Sequence, residues 1–160
     1  MPYILNTQTG AVTWHDPAEN YQPKADEIDV GASMPAPSRQ SVVAKVWQSI
    51  KAERDRRKVG GVKVKVGTTN KWFHSDDGSR IQQISLVMMG ASIPADLQWK
   101  TMDGSFITMT QAVAQSVFAA AAANDQAIFA VAEGHRVAME ASADPAVYDY
   151  STNWPAIFGE

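Results

Sequence analysis

The residues best placed to do chemistry are His74, Asp76 and Asp77, in the run KWFHSDDGSRIQ. An imidazole and two carboxylates this close together could form part of a metal centre or an acid–base pair. His74 and Asp76 alternate along an extended segment, so they can share a face. A metal centre, however, needs several converging ligands and partners that orient them. No other histidine or carboxylate cluster stands nearby at ligand spacing, and DDGS lacks the alternating oxygen ligands of a calcium loop. Capping of a following helix accounts for Asp76, Asp77 and Ser79 more simply. His15 and His135 lie far away in the sequence. His135, inside an alanine-rich helical tract, reads as a helix-surface residue. Nucleophilic catalysis needs a serine, threonine or cysteine beside a base, and the chain has no cysteine and no nucleophile elbow. Gly60-Gly61 and Gly67 are turn glycines, with neither a Walker A run nor a dinucleotide fingerprint around them. The residues show no visible catalytic machinery, and no catalytic residue, metal ligand or cofactor is expected.

Charge offers a second kind of chemistry. Residues 1–38 carry five acids (Asp16, Glu19, Asp26, Glu27, Asp29) against Lys24, a net of −4. Residues 39–71 carry ten bases and two acids, a net of +8, and residues 72–160 carry three bases and ten acids, a net of −7. Such segregation can mark a partner surface, although a charge run is more often a solvated face. The basic stretch KAERDRRKVGGVKVK could meet phosphates. The whole chain is nevertheless acidic, with a net charge of −3, and lacks the interleaved aromatics of a stacking platform. Nucleic acid is therefore not the expected partner, and an acidic protein surface suits the basic face better. No apolar run approaches the ~20 residues that cross a bilayer, so no membrane association is expected. The start, MPYILNTQTG, has no basic region and no apolar core of a signal peptide. Synthesis in the cytoplasm is expected.

These residues must be held by elements, and the spacing predicts which. A chain of 160 residues fits one domain, or one domain with an appended segment. Tyr3, Leu5, Val12 and Trp14 flank a TQTG turn, which predicts a hairpin of 3–6 against 11–15. Asp16-Pro17 ends it. The acidic stretch to Pro37, with Pro23, Pro35 and Pro37, reads as an extended connection. The expected organisation is an arm over 1–16, a linker over 17–37 and a domain over 38–160. Ser38 can cap a helix whose apolar face is Val43, Val46, Trp47 and Ile50. Lys51, Arg54, Arg57 and Lys58 crowd its last turns, where cations suit the dipole. VKVKV followed by GTTN and KWFHS reads as a hairpin. Ile81, Ile84, Val87 and Met88 predict the buried stripe of a second helix ending at Gly90. Asp103-Gly104 between 97–102 and 105–109 is a strong hairpin signal. Thr110 can cap an alanine-rich helix running to about Ala141, bent or split if Asn124-Asp125 breaks it. At about 45 Å it exceeds what a small sheet needs, which leaves length for another copy or another protein. The aromatic tail ADPAVYDYSTNWPAIF is expected to fold back over the core. The resulting fold class is α+β: two hairpins joined as a small four-stranded antiparallel sheet, packed with helices, one long C-terminal helix and an N-terminal arm. Most aromatics then serve the core. The residues left for a partner are Tyr3, Leu5, Val12 and Trp14 on the arm, with Arg54, Arg57 and Lys58 on the first helix.

Several separated motifs in one order carry a resemblance: WQSIKAERDRR, GGVKV, KWFHSDDGSRIQ, QWKTMDGSFITMT and FAVAEGHRVAMEASADPAVYDYSTNWP. Over residues 46–155, about two-thirds of the chain, they resemble a domain of unknown function common in phage and prophage tail genes. It is often found in proteins labelled tail-fibre assembly or tail-fibre-associated. The chain departs from that pattern over 88–98, where relatives often carry a longer insertion. The resemblance implies a non-enzymatic phage tail protein whose partners are tail-fibre or baseplate proteins. One reading is a structural component attached to the fibre or baseplate; the other is an assembly factor that binds the fibre and leaves. Its place would be the host cytoplasm during assembly, and the virion tail if structural. Homo-oligomers, trimers among them, are common in tails, but no repeat or heptad here establishes one.

Overall fold

Three side chains start the three helices of the computed structural model, which describes residues 3–16, 20–31 and 35–160. Ser38 Oγ accepts from the Ser41 N–H at 3.2 Å and opens α1, Arg39–Lys58. Asp76 accepts from the Ser79 N–H at 3.0 Å and opens α2, Asp77–Met89. Thr110 accepts from the Val113 N–H at 3.2 Å and opens α3, Gln111–Ala141. Each cap meets a donor that has no partner inside the helix. The α+β class holds.

The chain divides into two units, 1–42 and 43–160. In the first, β1 (Tyr3–Asn6), β2 (Val12–Trp14) and β3 (Glu27–Gly31) form an antiparallel sheet in the order β2-β1-β3. The predicted hairpin is present, and the predicted linker needs correcting, because β3 lies inside it. Side-chain anchoring explains why. The Thr7 N–H donates to the Asp26 carbonyl at 2.7 Å, and Asn6 Nδ2 donates to the Asp26 carboxylate at 2.8 Å. Tyr21 donates to Glu27 at 2.5 Å, and the Lys24 N–H joins it at 3.0 Å. Two acids read as linker charge thus fix the entry to a strand. The expected Asp16-Pro17 turn and the first stretch of the linker fall partly outside the described residues.

The second unit holds two further hairpins. β4 (Val62–Val66) pairs with β5 (Thr69–Phe73), and β6 (Gln98–Lys100) pairs with β7 (Phe106–Thr108) around Asp103-Gly104. They remain separate two-stranded sheets, which corrects the expected four-stranded one. What joins them is a turn. The Met102 N–H donates to the Trp72 carbonyl at 2.9 Å, and Lys71 Nζ donates to Asp103 at 2.9 Å and to Ser105 Oγ at 2.7 Å. Hydrogen bonds from Ser105 foremost, then Thr101 and Lys71, hold the Asp103 carboxyl well below the usual range.

α3 is a single unbroken helix that serves two cores. Ala114, Val117 and Ala121 pack with Val62, Val64, Phe73, Leu86 and Met109. Farther along, Ala132 and Met139 pack with Ile50 of α1, and Val43, Val46, Trp47, Tyr148, Tyr150 and Trp154 close over them. The extra length of α3 is therefore taken up by α1 and the returning aromatic tail. Asp125 causes no break, because both its oxygens receive Arg80 of α2, at 2.6 and 2.8 Å. That ion pair raises the affinity of the guanidinium for its proton.

The inner face of α2 is not the predicted one. Leu86 and Gln83 are buried, whereas Ile81 is 66% exposed and Met88 82% exposed, with Ile84 also exposed. Of the predicted stripe, only Val87 packs against the core. Partners explain the reversal. Gln83 Nε2 donates to the His74 carbonyl at 2.7 Å, and Arg80 reaches the Ser75 carbonyl at 2.5 Å and the Lys58 carbonyl at 3.2 Å. Polar groups so satisfied can be buried without the usual cost.

Gly60 serves packing more than turning. A Cβ there would collide with the Ile157 side chain, and the Phe158 N–H donates to the Gly60 carbonyl at 2.9 Å. Gly61 supplies the turn, with φ +95°.

Candidate interaction sites

His74, Asp76 and Asp77 do not converge into a site. Asp76 is spent on the cap, accepting from both the N–H and the hydroxyl of Ser79, which lowers its pKa. Among the described residues no group of three His, Asp or Glu side chains is placed to hold a metal ion. His15 stacks on Tyr21, with ring centroids 3.8 Å apart.

His135 is buried, not on the helix surface as its alanine-rich setting suggested. Its Nε2 lies 2.9 Å from the Thr152 carbonyl and its Nδ1 lies 2.9 Å from the Tyr148 hydroxyl. A carbonyl only accepts, so Nε2 carries a proton and donates to it, while Nδ1 pairs with the Tyr148 hydroxyl. Trp154 lies 5.3 Å from the same ring. His135 therefore pins the aromatic tail to α3. Sequence gave no sign of this, because Tyr148 and Thr152 are remote from it along the chain.

The four arm residues do come together. The register sets Tyr3 opposite Trp14 and Leu5 opposite Val12. Directly opposed residues share a face, so all four lie on one side of the sheet. β3 adds a fifth, since Leu5 also faces Ile28. Trp14 is 47% exposed and Ile28 is 49% exposed. Ile28 was hidden inside the supposed linker, and the only sign of it was the Ile28/Val30 alternation.

The three cations of α1 separate. Arg54 and Lys58 both lie over the Phe129 ring of α3, at 4.9 and 5.8 Å from its centroid, and Arg54 also pairs with Asp55 at 2.8 Å. Arg57 points elsewhere and is buried. Its Nε donates to Glu53 at 2.6 Å, and Nη1 donates to the Pro155 carbonyl at 2.8 Å and to Glu160 at 3.0 Å. The Trp154 ring lies 5.8 Å away. Arg57 is thus occupied within the chain as an anchor for the tail, while Arg54 and Lys58 are half-buried against Phe129. The adjacent Glu53 carboxyl is held at about 2, by hydrogen bonding to Arg56 first and then to Arg57.

Among the described residues no helix is long and apolar enough to cross a membrane. The molecule is an α+β protein in which one long helix organises two cores and a small antiparallel sheet forms a separate N-terminal unit. Residues 41–152, well over half of the chain, match the family described as Domain of unknown function (DUF4376), and the chain belongs to that family. No curated protein and no solved structure matches it.

Proposed function

We propose that this chain is a non-enzymatic phage tail protein, a structural component that attaches to the tail fibre or baseplate through its N-terminal sheet. The observation that carries the reading is the gathering of Tyr3, Leu5, Val12, Trp14 and Ile28 on one face of that sheet, with Trp14 and Ile28 about half exposed. Exposed apolar side chains that cluster mark interaction sites, whereas scattered ones do not. Aromatic anchors supply much of the affinity of such sites. The tail context comes from the sequence motifs and their resemblance to tail-gene proteins.

The test is mass spectrometry of purified virions from cells that make the protein, wild type and Trp14→Ser/Ile28→Ser. The expected result is stoichiometric wild-type protein in the virion and loss of the double variant, with its circular dichroism unchanged. Abundance in the lysate but absence from virions would replace this reading with that of an assembly factor. Equal incorporation of the variant would remove the sheet face from the account.

A further inference from the structure

A pocket of about 450 Å³ opens beside the start of β4. Its walls include Trp72, Ala120, Ala123 and Pro155, with Lys63 at one side and Asn124 of α3 at another. One of its features is unexplained by folding. Asn124 Nδ2 is buried and has no hydrogen-bond partner among the described residues. A buried donor left unpaired is unfavourable, and a ligand that brings an acceptor removes the penalty. On another wall, Lys63 Nζ lies over the Trp72 ring, 5.5 Å from its centroid. Among the described residues no acid lines the pocket. An amide donor, a cation and apolar walls select a carboxylate with an apolar neighbour.

The backbone beside the pocket says what carries that carboxylate. Val66 and Thr69 close the β4–β5 turn as directly paired residues, and hydrogen-bonded pairs alternate with non-bonded pairs from there. Lys63–Trp72 is then a non-bonded pair. Independently, the Trp72 carbonyl is turned outward to the Met102 N–H. The N–H and C=O of Lys63 and Lys65 therefore point away from β5, along an edge that carries no further strand among the described residues. An open strand edge is a template for an added strand, and lysines on it hold off indiscriminate pairing. Such an edge favours a polypeptide over a small free acid.

We infer that an extended segment of a partner polypeptide adds to the β4 edge, placing an Asp or Glu carboxylate on Asn124 and Lys63 and an adjacent apolar side chain against Trp72. Backbone pairing gives the affinity and the pocket gives the selectivity. The inference stands apart from the tail reading, since it uses neither the N-terminal sheet nor the phage context.

The experiment selects a displayed library of random heptapeptides on the full chain. Fluorescence anisotropy then measures the enriched peptides on wild type, Asn124→Ala and Lys63→Glu. Asn124→Ala introduces the best helix former into α3 and removes the orphan donor, so an equal or higher melting temperature shows that it folds. The expected result is enrichment of peptides with Asp or Glu beside an apolar residue, bound about tenfold more weakly by each variant, the scale of one lost charge-assisted hydrogen bond. No enrichment, enriched peptides without an acid, or equal binding by both variants would overturn the proposal.

Discussion

Arg57 shows how much one side chain can decide. It ties the end of α1 to the last residues of the chain through Glu53, the Pro155 carbonyl and Glu160. Removing one partner of a buried charge network costs several kcal/mol, because the groups left behind lose their compensation. Glu53 and Glu160 keep some solvent, with side chains 20% and 42% exposed, so Arg57→Ala is expected to cost about 3 kcal/mol, at the lower end of that range. Lysine should not rescue it, since an ammonium cannot reproduce a planar fork of donors. Arg54→Ala should cost less, about 1 kcal/mol, because its partner Asp55 is well exposed and screened by solvent. Urea denaturation at pH 7 checks all three. The same network sets a pH dependence. The Glu53 carboxyl falls from an ordinary 4.5 to about 2 in the folded chain, Arg56 acting foremost. A lowered folded value stabilises fully above 4.5, and the contribution disappears as pH falls from there through about 2. The Glu160 carboxyl is lowered in the same direction, again with Arg56 foremost. The stability difference between wild type and Glu53→Gln should therefore be largest at neutral pH and shrink across that window. A difference that stays constant from pH 7 to pH 2 would remove Glu53 ionisation from the account.

At the scale of elements, α2 separates what periodicity can reveal from what it cannot. Its outward Ile81 and Met88 can be replaced by serine with a change within about 0.5 kcal/mol, as for surface positions. Leu86→Ala should cost about 2–4 kcal/mol, because it opens the core shared with Phe73 and Val117. Melting curves of the three variants decide which face is inside, and the reverse order would restore the face read from spacing. Ile81, Ile84 and Met88 stand at good helical spacing, yet Arg80 and Gln83 take the inner side because their partners Asp125 and the His74 carbonyl wait there. Those partners are remote or on the backbone, so no local pattern announces them. Features decided within a few residues were legible: the caps at Ser38, Asp76 and Thr110, the Asp103-Gly104 turn and the alternation of β4. Those decided at a distance were not. β3 depends on β1 more than twenty positions earlier, and the burial of His135 depends on a tail that returns to it. The candidate sites divide the same way. The common face of the arm residues was legible because alternation around a turn fixes it. The pocket was missed because Lys63 and Asn124 line it from β4 and α3, which are remote along the chain.

For the whole molecule, both buried clusters are drawn from residues after Val42. The tail anchors Arg57 and His135 lie in the same portion. A fragment of residues 38–160 keeps Ser38 to cap α1 and loses no member of either cluster. It should unfold in one cooperative urea transition, with a midpoint matching that of the full chain. The complementary piece, 1–37, has three short strands and one strongly buried apolar side chain, Ile4, among its described residues. Small sheets of this size are marginal in water, so this piece alone should show no cooperative transition. The division also changes the charge. Residues 39–160 combine +8 and −7 to leave +1, against −3 for the full chain. The fragment should therefore be less soluble near neutral pH, as molecules near zero net charge are. These expectations place stability in the helical unit and leave the N-terminal sheet free to serve a partner. A fragment that melts broadly, or well below the full chain, would mean that the sheet is part of the folding unit. Substitutions at Trp14 and Ile28 would then report on stability as well as docking.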